Sequence, residues 1–136
     1  MRIISLNVWQ GIAFDSLMEF MKKESKMTDI FCLQEIYYNS LKIKEFKEVR
    51  ADLLSDVKNI LPEFKMFFCS QTKGYYLDGE KGSKVNFDLE FGMCIFVKNS
   101  VKIKSFGHEI ILENKLEFLK NKFLGLPVCL QFVGVE

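Results

Sequence analysis

Two short apolar runs, Arg2–Val8 (RIISLNV) and Ile30–Leu33 (IFCL), are separated by one stretch of helical periodicity, and this arrangement leaves few folds open. The second run is brief, rich in strand formers and reads as a strand buried on both faces that ends in Gln34 and Glu35. The first ends in Asn7, followed by Trp9 and Gly11. Between them Phe14, Leu17, Met18 and Met21 recur at helical spacing behind Asp15, a residue suited to an N-cap. A strand, a crossover helix and a strand make the two strands parallel and the crossover right-handed, so both carboxyl ends lie on one edge of the sheet. Ligands of open α/β sheets bind outside that edge, which would bring Asn7 and Glu35 to one site. A carboxylate is rarely buried without a partner, so Glu35 there points to a cleft with a cation or donors nearby; the plainer reading is that it marks where the strand leaves the core.

The 136 residues are 49% apolar and 27% charged, the composition of one globular domain spanning residues 1–136, with no repeat or linker. Fourteen phenylalanines imply large strand faces that need cover. A net charge of +1 provides no overall field towards nucleic acid or a membrane surface. Ser5 and Asn7 break the first apolar run, so it is not read as a targeting peptide, and no stretch approaches the roughly 20 apolar residues of a membrane span. Cys32, Cys69, Cys94 and Cys129 lie far apart without a CxxC pair. They read as buried thiols of a reducing, cytoplasmic setting, not as a zinc site or a disulfide framework.

Further along, Tyr37–Ser40 is expected to be a loop at the mouth of the site, where Tyr37 and Tyr38 either stack on a ligand or, the reading we adopt, cover the end of the core. Phe46, Val49, Leu53, Val57, Ile60 and Leu61 predict one amphipathic helix that stops before Pro62. FKMFFCS (64–70) and Gly92–Val97 predict two strands, and 71–90 a long polar loop. Its lysines, among them Lys73, Lys81 and Lys84, serve either a phosphate-bearing ligand or solvation; Asp88 and Glu90 read as an exposed strand edge. Val101–Leu112 is expected to pair with the strand before it; His108, the one histidine, lies in no recognisable motif and reads as a surface or structural residue. Glu113–Phe123 suits a short helix or capping loop, and Val128–Val135 a last strand.

SLNVW followed by DIFCLQE resembles the first two motifs of the endonuclease/exonuclease/phosphatase family, and FGMCIFVKNS is similar to that family's Gly-led central strand. The resemblance implies an α/β domain (the four-layer α+β sandwich type), of which the chain is the N-terminal half, a mixed sheet with helices on its outer face. It implies a phosphoesterase or nuclease that hydrolyses phosphodiester or phosphomonoester bonds with Mg2+ or Mn2+, acting on nucleic acid or a phosphorylated small molecule. By resemblance, Asn7 and Glu35 are the catalytic and metal-binding residues. The family's later motifs, an active-site His, a GDFN-type segment and a terminal Asp-His pair, are absent from the 136 residues. The chain is therefore expected to be an incomplete copy with negligible activity. The alternative is a non-catalytic interaction module completed by a second chain. Both faces of the first two strands are apolar while only two amphipathic helices are present, so one face is expected to lack cover and to drive self-association or partner binding.

Overall fold

The computed structural model describes residues 1–78, 81–112 and 128–136. Strand β1 (Ile3–Asn7), helix α1 (Phe14–Glu24) and strand β2 (Ile30–Tyr38) form the expected crossover, with β1 and β2 parallel in a register that sets Ile3 opposite Ile30 and Asn7 opposite Gln34. Asp15 sits inside the first turn of α1, where a carboxylate complements the helix dipole, and not at the cap, which is Ala13. The helix buries Leu17, Met18 and Met21 against the sheet.

A hairpin, β3 (Glu45–Phe46) and β4 (Val49–Arg50), precedes α2 (Leu53–Ile60), so the single helix expected from Phe46 onwards begins only at Leu53. Tertiary contacts override the periodicity here. The Phe46 ring lies 5.7 Å from that of Tyr76 and 5.3 Å from that of Phe87, while Lys47 takes a left-handed φ of 54° that ends any helix. Asp56 on α2 receives hydrogen bonds from Lys44 (2.8 Å) and Arg50 (2.9 Å), which holds the hairpin to the helix.

Strand β5 (Phe64–Lys73) is followed by a second hairpin, β6 (Tyr75–Asp78) and β7 (Lys81–Lys84), within the segment expected to be an open loop. Burial explains it: Tyr76 and Leu77 are both buried, with Leu89 and Phe91, in a small core that also takes Tyr37 and Val49. Gly79 lies outside the described residues. Strand β8 (Glu90–Lys98) then completes a four-stranded mixed sheet in the order β1-β2-β8-β5, antiparallel to both neighbours. Strand β9 (Ile103–Leu112) cannot pair with β8 as expected, because β2 and β5 occupy both of its edges; it forms a separate antiparallel ribbon with β10 (Val128–Val135). The helix or loop expected at 113–123 lies outside the described residues, as does the side chain of Cys129.

The main core fills the helical face of the sheet around Phe31, Leu33, Phe96, Met21 and Val57. The opposite face is not bare, as expected, but carries the ribbon: Ile103, Val133 and Val135 pack on Ile30, Ile95 and Val97, and the Phe106 ring lies 4.7 Å from Phe67. Cover by a ribbon needs no helix; alternate apolar residues on two strands suffice. The fold is thus α/β, a mixed sheet with two helices and a two-stranded second sheet. No helix among the described residues is long and apolar enough to cross a membrane.

Candidate functional site

Strand β2 does not end at Glu35, as its sequence suggests, but continues to Tyr38 through a bulge. Leu33 pairs with Cys94 and Ile36 with Gly92, so Gln34 and Glu35 together oppose the single residue Met93. Strict alternation would turn Glu35 to the helical core beside Leu33. The extra residue instead returns Ile36 to that core and leaves Glu35 out of the alternation, with a left-handed φ of 58°. Non-glycine residues take this conformation at a cost of order 1–3 kcal/mol, and bulges of this kind often re-aim a side chain. Gly92, opposite Ile36, is crowded from its other neighbour: a Cβ there would stand 2.0 Å from the carbonyl oxygen of Cys69 on β5.

Facing the bulge, the chain after β1 turns sharply. Trp9, Gln10 and Gly11 adopt φ values of 45°, 56° and 77° in succession. Gly11 is buried, and a Cβ on it would approach the Cβ of Arg50 to 2.6 Å, so the turn is wedged against β4. The Val8 amide donates to the Gln34 carbonyl (3.0 Å), carrying the β1–β2 ladder to the level of the bulge.

Asn7 and Glu35, distant in sequence, meet at this corner. Asn7 Nδ2 donates to Glu35 Oε1 at 2.7 Å, while Asn7 Oδ1 accepts from the Trp9 backbone N–H at 2.8 Å. Beside it, Gln34 Nε2 donates to Ser5 Oγ at 3.1 Å. Asn7 is exposed and Glu35 half-buried. The Trp9 indole is 62% exposed at the rim of a groove of about 280 Å3 whose other walls include Leu6, Leu17 and Phe20.

A solved structure now places this architecture. The chain is similar to the solved structure of an endonuclease/exonuclease/phosphatase family protein from Leptotrichia buccalis C-1013-b, with a TM-score of 0.52 over 79% of this chain at 14% identity. The folds are the same. The chain spans 41% of that protein's length, and at this identity the likeness extends to the endonuclease/exonuclease/phosphatase fold alone. No family model and no curated protein matches the sequence.

Within this endonuclease/exonuclease/phosphatase fold, Glu35 is the one carboxylate at the corner with an oxygen to offer: among the described residues nothing donates to its Oε2. Hard divalent ions prefer such oxygens and accept a site of one or two carboxylates completed by water. The donor set therefore fits a weak magnesium-type site. Among the described residues no three His, Cys, Asp or Glu side chains converge on a point.

The remaining candidates lie elsewhere. Tyr37 is fully buried and accepts the Leu77 N–H at 2.8 Å; burial pushes its phenol well above the usual tyrosine range, so it is a core residue and not a stacking platform. Tyr38 leans on the Phe68 ring. Lys73 reaches Glu90 at 3.5 Å, and Asp88 accepts a hydrogen bond from Ser40, which holds its carboxyl below the usual range. His108 is exposed on the ribbon. Cys69 is buried, and burial pushes the Cys32 and Cys94 thiols upward, away from reactivity. Sequence reasoning named Trp9 beside Asn7 but gave it no role; the signal was its place two residues after an asparagine, the spacing of an Asx turn.

Proposed function

We propose that the Asn7–Glu35 corner is the cation-binding end of a phosphoesterase site that acts on phosphodiester or phosphomonoester bonds, in nucleic acid or a phosphorylated small molecule. The observation that carries this reading is the bulge that presents Glu35 at the carboxyl edge of the parallel pair, held by Asn7 at 2.7 Å. The endonuclease/exonuclease/phosphatase fold of the neighbouring solved structure supports it. The ion is Mg2+ or Mn2+, with Glu35 supplying a carboxylate oxygen; when bound, such an ion polarises a phosphoryl oxygen and acidifies a bound water. Asn7 fixes the carboxylate, and the exposed Trp9 borders the approach. Cysteines spaced far apart along the chain, without a CxxC pair, suit a reducing, cytoplasmic setting.

With one carboxylate and no convergent trio among the described residues, the 136-residue chain should bind Mg2+ at millimolar strength or weaker and hydrolyse phosphoesters negligibly. Magnesium titration followed by NMR tests the site. A saturable response at Glu35, lost in Glu35→Ala, is the expected result; submicromolar binding, or a response indifferent to Glu35, contradicts it. Turnover of a generic phosphodiester that Glu35→Ala abolishes would overturn the expectation of inactivity.

A second reading, an interaction module that a second chain completes, is favoured by a different observation. Among the described residues the outer edge of β1 is unpaired, and Ile3 on it is 57% exposed.

A further inference from the structure

Resting on the reading of the chain as an interaction module, we infer that the partner of the β1 edge is a second copy of this chain, paired antiparallel about a two-fold axis through Ser5. The Arg2 carbonyl accepts from the Ile30 N–H (3.2 Å) and the Val8 N–H donates to the Gln34 carbonyl (3.0 Å), so the even-numbered residues of β1 turn their backbone to β2. By the alternation of a strand, Ile3, Ser5 and Asn7 turn theirs outward, and among the described residues no strand meets them.

This edge has none of the features that keep edge strands single. From Ile3 to Trp9 the sequence carries no charge and no proline, and the guanidinium of Arg2 is drawn to Glu24 of α1. The opposite edge of the sheet differs. There β5 carries Lys65 and Lys73, breaks register between Ser70 and Thr72, and lends the Phe67 carbonyl to Gln131 Nε2 at 2.7 Å.

Closed pairs of identical chains use one patch twice, and a two-fold axis normal to the sheet sets β1 antiparallel to its copy. Centred on Ser5, this places Ile3 opposite Asn7 of the second copy and bonds every outward N–H and C=O of the three residues. Ile4 then faces Leu6 of the copy in the closer, non-bonded pairs; both are half-buried on the helical face. A register shift of two residues either way loses this match, setting Arg2 against Leu6 or Ile3 against Trp9, where β1 has ended. A stable dimer buries about 800 Å2 on each copy, more than a strand edge supplies. The groove walled by Leu6, Trp9 and Phe20 runs along this edge and adds apolar area, with the Trp9 indole 62% exposed. The pairing also sets Ile3 of one copy beside Asn7 of the other, so each copy walls the outer side of the other's Asn7–Glu35 corner.

The test uses the whole chain, whose single tryptophan makes emission a probe of this edge. Raising the concentration should convert monomer to dimer in sedimentation velocity and shift Trp9 emission to the blue over the same range. Amide exchange at Ile3, Ser5 and Asn7 should slow with it, while Ile4 and Leu6, bonded to β2, are protected at every concentration. Ser5→Cys puts two thiols on the axis with Cα atoms about 5.5 Å apart, a disulfide spacing, and should cross-link the dimer under mild oxidation that leaves the native chain uncross-linked. Ser5→Pro removes an outward N–H, leaves the ladder to β2, and should abolish the dimer. Circular dichroism checks that this variant folds; if it does not, cross-linking and amide exchange decide. A dimer in which Ser5→Cys fails to cross-link and the three amides exchange as in the monomer overturns the inference and leaves the interaction reading standing. A chain monomeric at every concentration sinks both.

Discussion

Tyr37 shows how one residue can report its own burial. Its hydroxyl is the acceptor for the Leu77 N–H, and its pKa is raised, by burial first, above an ordinary value of 10.0. A raised acid stays protonated in the folded chain while the unfolded chain loses its proton, so this contribution is complete below about pH 10 and is lost as pH rises beyond it. Tyr37→Phe should therefore flatten the alkaline loss of stability above pH 10, by a slope approaching one proton's, about 1.4 kcal/mol per pH unit, in denaturant titrations at pH 10 to 12. Cys32 and Cys94 titrate in the same direction and leave a residual slope. At neutral pH the variant strands the buried Leu77 amide and should cost about 1–3 kcal/mol.

At the scale of elements, the central strand β8 carries the design, and its two neighbours are each bent against it, β2 between Leu33 and Ile36 and β5 between Ser70 and Thr72. Gly92 pairs with Ile36 on one side and Ser70 on the other, which is why the backbone crowds it. Gly92→Ala should cost about 3 kcal/mol or more in urea unfolding, because the atom it meets is backbone that cannot rotate away, and should also disturb the Glu35 resonance. Met21, fully buried between α1 and the sheet, belongs to the ordinary core: Met21→Ala should cost about 2–5 kcal/mol and leave Glu35 undisturbed. The contrast separates an element that shapes the site from one that only supports the fold. Helix α2 is half the length its apolar spacing predicts because Phe46 and Val49 have better burial in a hairpin against Tyr76 and Phe87.

For the whole molecule, the decisive feature is where cover stops. The ribbon protects the β8 and β5 side of the sheet, whereas among the described residues no strand pairs with the outer edge of β1, where Ile3 is 57% exposed and Met1 72% exposed. With a net charge of +1 and a pI near 7.6, little repulsion opposes contact between copies at neutral pH. The chain is expected to self-associate through this edge in sedimentation velocity, and Ile3→Lys, which places a solvated charge on an edge strand, should return it to monomer without lowering its unfolding midpoint. A monomeric native chain would leave the interaction reading without support.

The residues alone determined the crossover, because apolar spacing of period 3.6 between two buried runs admits one right-handed parallel unit, and with it the common sheet edge at which Asn7 and Glu35 lie. They also determined the strand identity of 64–70, 92–97 and 128–135, where β-branched and aromatic residues leave little choice. Tertiary structure decided the rest. The bulge that turns Glu35 out of the core has no local signature, since it arises from matching β2 to β8 and from the need to bury both Leu33 and Ile36. The pairing of β9 with β10 followed from edges already taken, and the two hairpins from rings supplied by segments some thirty residues apart. Contacts between distant segments are set by what each leaves unsatisfied, a quantity that exists only once the chain is folded.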